Sequence, residues 1–401
     1  MSSKDTYDMV KDFPQLSCMS LQGSQMITVC GDDNGLTSEQ TLFDNVRRGQ
    51  INTQRIDSLA VLLNGIPVIG EAACFDPEHC FHITEWQFDA LLNKLFSLDL
   101  SIDADAGLVI SCQFEFPDTA LDALSLSHVQ HVIQATSLES TFERWEQSLT
   151  DTGITKWYWL CLDSLCTKDW LNENRSRMYS SQVQTDGLIA GEAIVLSEWK
   201  YCPDQHQNGV DIPETASCFF KGLEKWSAST KPEQLARFTV LDSKTSDTPV
   251  YIVSNGDLSK DTYSTNYHMR KTWWPNLILS EMGARQDAND LTGNKPISPI
   301  SGFPFISPYL TLGDCGMANL PLVMILAKSL LHYEQTVSEQ RSNDNSNEPA
   351  PWPDSLTSDV HSEHNEYSKD EAIVLVRNAD HYYVARLTHT PHSSKETKNG
   401  V

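Results

Sequence analysis

Residues 311 to 331, TLGDCGMANLPLVMILAKSLL, hold a cysteine and an aspartate in a glycine-rich turn that opens an apolar helix pattern. Cys315 stands between Gly313 and Gly316, where backbone N–H groups and a helix dipole would lower a thiol pKa. A reactive thiolate also needs a base. Its immediate neighbour, Asp314, would instead raise the thiol pKa and is a poor base at neutral pH. The residues favour a structural turn in which Asp314 caps the helix and the glycines permit close packing, with Cys315 as the alternative nucleophile.

Other chemistries find less support. His128 and His131 sit three apart, as do His361 and His364, but neither pair has a cysteine or carboxylate set beside it, so no metal is expected. The chain has no GxGxxG and no GxxxxGK[ST] after a strand, so no nucleotide and no other cofactor is expected. A formal charge of −25, from 29 basic and 54 acidic residues, would repel a phosphate backbone and argues against nucleic acid as a partner. A basic protein could be a partner, and the charge also serves solubility.

The elements that position these residues follow from pattern. At 401 residues and 40% hydrophobic, the chain can form two domains or one duplicated unit. Strand-like runs at 59–70, 106–114, 156–165, 191–199, 249–255 and 371–378 alternate with helical patterns, which indicates a layered α/β class. The segment 83–100 places Trp86, Phe88, Leu91, Leu92, Leu95 and Phe96 on one helix face. The segment 138–153 reads as a second amphipathic helix, opened by a Thr136-to-Glu139 capping box and closed by Gly153. From about 336 to 370 the hydrophobic period gives way to Ser, Asn, Pro and acids, so a mobile acidic insertion is expected there. The spelling NADH at 378–381 reads as a hairpin turn between two last strands. No run is apolar enough to span a bilayer, the N-terminus is charged where a signal peptide would be apolar, and the ten cysteines form no CxxC pair. A cytoplasmic protein with reduced thiols and no membrane partner is expected.

Three landmarks carry a family resemblance. WYWLCLDSL (157–165) looks like a strand ending in a Gly-Gly-x-Asp/Glu-Ser turn, TDGLIAGEAIVL (185–196) like a D-G-F-x-x-G-E-G-A strand, and TLGDCGMANLPL (311–322) like a Gly-His turn opening a buried helix. In that order they resemble the β-ketoacyl-acyl carrier protein synthases. VCGDDNGLTSEQTLFDNVRRGQ (29–50) is a weaker match to that family's start. The resemblance spans about 24 to 390 and implies a thiolase-like α/β fold, with two similar α/β halves in a layered α-β-α-β-α arrangement. The implied division is an N-terminal extension at 1–23, a first half at 24–225 and a second half at 226–401. It also implies a homodimer through a central strand, matched here to LVISCQF (108–114).

The family condenses acyl units with a cysteine at a helix start and two histidines, the thiolate holding the acyl group and the imidazoles stabilising an oxyanion. Counting back from Asp163, the nucleophile position falls at about Thr136, with Ala135 and Ser137 within the slack, and no cysteine lies between Cys112 and Cys161. The two histidine positions match Asp257 and Asp314. Losing every member of a cooperating set is difficult to reconcile with condensation. The resemblance is nearest to degenerate ketosynthase-like proteins encoded beside type VI secretion effectors, which often carry Gly-Asp in this turn and Pro-Leu in the next helix. It implies a non-catalytic accessory that binds a secretion effector or adaptor. Two alternatives stand beside it: an acyltransferase or β-ketoacyl synthase with an unorthodox nucleophile at Thr136, Ser137 or Cys315, and the cysteine-free partner subunit of an active synthase.

Overall fold

The computed structural model describes residues 9–48, 50–63, 66–75, 87–98, 100–114, 116–174, 189–203, 218–227, 251–255, 305–306, 308–344, 371–378 and 381–388. In chain order the described elements begin with β1 (Met9–Asp12), β2 (Met19–Ile27), β3 (Leu36–Thr37), α1 (Glu39–Arg47), β4 (Gln54–Leu63), β5 (Ile66–Ala73) and α2 (Gln87–Leu95). Then come β6 (Gly107–Cys112), α3 (Asp118–Ala123), β7 (His131–Ala135), α4 (Leu138–Thr152), β8 (Lys156–Ser164), α5 (Lys168–Glu173) and β9 (Ala190–Tyr201). The chain continues with β10 (Cys218–Ser227), β11 (Tyr251–Asn255), β12 (Phe305–Ile306), α6 (Tyr309–Leu312), α7 (Asn319–Asp344), β13 (Glu371–Asn378) and β14 (His381–Thr388).

The topology repeats itself. Five strands lie in the order β2-β9-β8-β6-β7, and five later ones in the order β10-β14-β13-β11-β12. In each set the first two pairings are antiparallel and the last two parallel. Counted along the chain, both sets run first, fifth, fourth, second, third. The two halves are therefore one arrangement used twice, joined where β2 and β10 pair antiparallel at Leu21 with Cys218.

A central helical layer separates the two sets of strands. Phe142 of α4 lies 5.5 Å from the Trp159 ring of β8 and 5.9 Å from the Tyr383 ring of β14, so α4 touches both halves. Helix α7 packs on β11, β13 and β14 on one side and reaches α1 and β9 on the other. From Asn319 to Leu331 it is buried at every position but Ser329, which is why it shows no polar stripe. On the outer face of the first half, Leu91 and Leu95 of α2 and Ala120 of α3 pack with Leu108, Ile110, Leu160 and Leu162. Strands β6 and β8 are thus covered on both faces, and their sequences are continuous apolar runs.

Two buried lysines fasten this layer. Lys225 of β10, 1% exposed, is ion-paired with Glu139 in the first turn of α4. Lys328 of α7 reaches Glu39 at the start of α1, at 3.1 Å, and the Gln22 carbonyl of β2, at 2.8 Å.

Several elements differ from the sequence expectation. The run at 59–70 is a hairpin, β4 and β5, with Leu63 opposite Ile66. Phe96 is 53% exposed, because α2 ends at Leu95 and its buried face continues through Leu91 and Leu95 to Leu98. The cap of α4 is Ser137, whose hydroxyl accepts from Ser140 N–H at 3.2 Å, and not Thr136; Glu139, the expected partner in the box, is drawn to Lys225. Gly153 closes α4 in the left-handed region, as expected (φ 64°). Helix α7 runs to Asp344, so the first residues of the expected insertion at 336–370 are helical; 345–370 lie outside the described residues. Asn378 pairs with His381, the register of a two-residue hairpin. The expected divisions at 23/24 and 225/226 fall inside β2 and β10, and the repeated topology begins each half with those strands. Strand β6, matched to the dimer strand, is paired on both sides, by β7 and β8. Among the described strands, the outer one of the first half is β7.

Candidate functional site

The three landmarks converge at one end of the sheet. Strands β6, β7 and β8 are parallel and β9 runs against them, so the ends of the first three lie beside the start of β9. Onto that start folds the turn between α6 and α7. Asp314 N–H donates to the Ile189 carbonyl, and Gly191 N–H to the Asp314 carbonyl, each at 2.8 Å. The approach is too close for a side chain. A Cβ on Gly191 would lie 2.1 Å from the Leu312 carbonyl oxygen, and one on Gly316 would lie 2.2 Å from Oδ2 of Asp163. The glycines that mark the sequence motifs are therefore packing requirements.

Inside the turn three consecutive backbone donors have side-chain partners. Cys315 N–H donates to Asn319 Oδ1 at 2.9 Å, Gly316 N–H to Asp314 Oδ1 at 3.0 Å, and Met317 N–H to Asp163 Oδ2 at 2.7 Å. Asn319 Nδ2 closes the ring on Asp314 Oδ1 at 2.6 Å. Asp314 thus caps the turn as expected, and Asp163, from the end of β8, supplies the next cap. Three groups that could hold an oxyanion are already engaged by carboxylate and amide oxygens.

Burial decides the protonation here. Cys315 is fully buried and its Sγ lies 3.3 Å from the Leu312 carbonyl, as a donor to it. Desolvation first, then the carboxylates of Asp314, Glu192 and Asp163, push its thiol well above the ordinary range. The Asp163 carboxyl is lifted to about 7, chiefly by burial and further by Asp314, against hydrogen bonds from Met317, Ser164 and Gln113 that favour the anion. Glu192 is likewise lifted to about 7 by burial, although Phe75 N–H and the Ser164 hydroxyl both donate to it. Cys112 and Cys161, at the same end, are raised by burial, Cys112 to about 12.

The helix start of α4 lies at this end too, beyond β7. Ala135 is buried, and Thr136 and Ser137 are exposed. The Ser137 hydroxyl is spent on its own helix, accepting from Ser140 N–H, while its carbonyl accepts from the Thr141 hydroxyl at 2.8 Å. Asp314 bridges to β9, three strands away from β7. Asp257 lies outside the described residues. Of the candidate histidines, His128 has one ring nitrogen 2.7 Å from the Ser125 carbonyl and the other 2.7 Å from the Ile102 carbonyl, and His131 packs edge-on to Trp157. His361 and His364 lie outside the described residues. No group of three or more potential metal ligands occurs among the described residues. Motif spacing gives the Asp163 and Glu192 side chains no role of their own; an acid inside an otherwise apolar strand is the available signal.

No protein-family model matches the chain, and no curated protein matches its sequence. Solved structures do match the fold. The ishigamide ketosynthase/chain length factor is similar over 93% of this chain and 99% of its own, at 12% identity and a TM-score of 0.52. The ketosynthase from module 6 of the bacillaene synthase from Bacillus subtilis 168 is similar over 93% and 72%, at 10% identity and a TM-score of 0.54. The PfaC keto synthase-chain length factor covers 93% of this chain and 43% of its own, at 8% identity and a TM-score of 0.51. The fold is the thiolase-like α/β fold of ketosynthases.

Proposed function

We propose that the protein is a non-catalytic ketosynthase-like scaffold, a protein-binding accessory that loads an effector, with type VI secretion as the setting the sequence resemblance suggests. The observation that carries this reading is the turn at 313–317. There the N–H groups of Cys315, Gly316 and Met317 are taken by Asn319, Asp314 and Asp163. An anion arriving at that helix start would meet carboxylates in place of an imidazolium and free donors. Thr136, Ser137 and Asp257 stand at the other degenerate positions, and Ser137 serves as a helix cap. Cys315, the alternative nucleophile, is enclosed and held as a thiol.

Mass spectrometry after incubation with an acyl-CoA or acyl-loaded carrier protein tests the catalytic half of this reading. The expected result is an unmodified chain. A covalent acyl group on Thr136, Ser137 or Cys315 would overturn it in favour of an acyltransferase or β-ketoacyl synthase. Co-purification with the product of the adjacent gene tests the other half, with an effector or adaptor as the expected companion.

The second reading, a cysteine-free partner subunit of an active synthase, draws support from β7, the outermost of the described strands of its half. Its outer edge can be extended by a strand of another ketosynthase-like chain or of a second copy of this one. Co-expression with an adjacent ketosynthase separates the two readings, because only a subunit would be needed for its activity.

A further inference from the structure

Cys18 ends a short 3-10 turn, Leu16–Cys18, that leads into β2; Cys202 follows the last residue of β9 and precedes Pro203. The antiparallel register pairs Met19 with Tyr201 and Ser20 with Lys200. Carried one step past the ladder, it sets Cys18 opposite Cys202. The backbone holds that pairing, since Cys202 N–H donates to the Cys18 carbonyl at 2.9 Å. Opposed residues of antiparallel strands have Cα atoms about 4.5–5.5 Å apart. Disulfides span about 4.4–6.8 Å between the same atoms.

The two thiols differ in access. Cys18 is buried, whereas Cys202 is partly exposed. Burial raises the Cys18 thiol; a hydrogen bond with Ser17 lowers it, and nearby Glu146 and Cys202 raise it further. The pair also sits at the seam of the fold, because β2 is the strand that pairs with β9 of its own half and with β10 of the other.

We propose that Cys18 and Cys202 are a redox-sensitive pair, which a low-molecular-weight disulfide such as oxidised glutathione converts to a cross-strand disulfide at the seam between the halves. The Cys202 thiolate, having given its proton to solvent, attacks one sulfur of the oxidant. A mixed disulfide forms and one glutathione thiolate leaves. Cys18 then loses its proton and attacks the Cys202 sulfur, forming the protein disulfide and releasing the second glutathione. The protein gives up two electrons and two protons, and the oxidant becomes two thiols. The new bond would close a loop from residue 18 to residue 202, and a long loop is where a crosslink restricts the unfolded chain most.

The test uses the full chain with oxidised glutathione, followed by alkylation, proteolysis and tandem mass spectrometry that separates Cys18 from Cys30 and Cys202 from Cys218. A Cys18–Cys202 crosslink with a raised melting temperature, reversed by a reducing agent, is the expected result. The Cys18→Ser variant should accumulate a stable glutathione adduct on Cys202, and Cys202→Ser should give neither adduct nor crosslink at the pair. A stable adduct on Cys202 in the unaltered chain, or crosslinking of either residue to another cysteine, would overturn the proposal.

Discussion

Asp163 and Met317 are joined across the two halves of the chain: the carboxylate at the end of β8 accepts the Met317 N–H at 2.7 Å. The same carboxylate accepts the Ser164 N–H at 2.8 Å, and it stands where a Cβ on Gly316 would have to be. One side chain therefore couples the strand end to the helix start.

Removing that acceptor should destabilise both partners. Asp163→Ala leaves two buried N–H groups unsatisfied, each at about 1–3 kcal/mol. Gly316→Ala adds a left-handed alanine at φ 58° to a clash with Asp163. The left-handed conformation alone costs about 1–2 kcal/mol. Both variants should unfold at lower urea than the unaltered chain. Gly23→Ala, with nothing within 4 Å of its added methyl, is the control expected to change little. Equal midpoints for Gly316→Ala and Gly23→Ala would contradict the close approach.

The pH dependence follows from the same end of the sheet. Asp163 and Glu192 have folded values of about 7 against ordinary values of 3.8 and 4.5. Between those limits the folded chain holds protons that the unfolded chain has released. Their contribution is full below the unfolded values and is lost as pH rises through the folded ones. Each group contributes a slope of up to about 1.4 kcal/mol per pH unit within its window. Glu139, lowered by its hydrogen bond with Lys225, acts in the opposite sense. Urea unfolding should therefore show stability declining from about pH 5 to about pH 7. Asp163→Asn and Glu192→Gln together should flatten the decline; an undiminished slope in that double variant would place its origin elsewhere.

The buried lysine at the seam gives a third prediction. Lys225 is 1% exposed, and its partner Glu139 is roughly half exposed, so the ion pair is one-sided in its burial. Glu139→Gln removes the charge and leaves an enclosed ammonium without its carboxylate. Because solvent reaches Glu139, the loss should be about 1–3 kcal/mol, below the cost of breaking a wholly buried pair. Lys225→Met removes the buried charge and keeps an unbranched side chain, so it should cost less than Glu139→Gln. Denaturant unfolding of the two single variants and the double variant measures this order. A larger loss for Lys225→Met would show that the ammonium contributes more than its partner's charge requires.

The sequence disclosed what depends on local pattern and missed what depends on neighbours. Strands β8, β9 and β13 and helix α4 were legible because continuous apolar runs and a spacing of Leu138, Phe142, Trp145 and Leu149 report their own burial. The end of α7 was not, since beyond residue 335 the helix carries Ser, Glu, Gln, Arg, Asn and Asp, and the apolar period that signals a core helix is gone. The duplicated topology was equally hidden, because β2 and β10 share a position in the fold but no run of matching residues. Within the site, the Asp314 cap and the packing glycines were readable from GDCG. The cap by Asp163 was not, because it joins residues 154 positions apart.

Central and edge strands read alike in sequence, and that distinction decides the last prediction. Strand β6 has both edges occupied, by β7 and β8, so it has no edge to offer a second copy. Among the described strands β7 pairs with β6 alone, and its residues His131, Val132 and Gln134 are partly exposed. Arg144 of α4 reaches this strand, donating to the Gln134 carbonyl at 2.6 Å. A dimer that continues the sheet from the first half should therefore form through β7. Val132→Pro, which adds a proline at an edge strand, should return such a dimer to monomer while the far-ultraviolet circular dichroism stays that of the folded chain. Sedimentation velocity across a concentration series reads the change. A dimer that withstands Val132→Pro would have to use another surface, and a chain that is monomeric throughout would contradict the homodimer that the family resemblance implies.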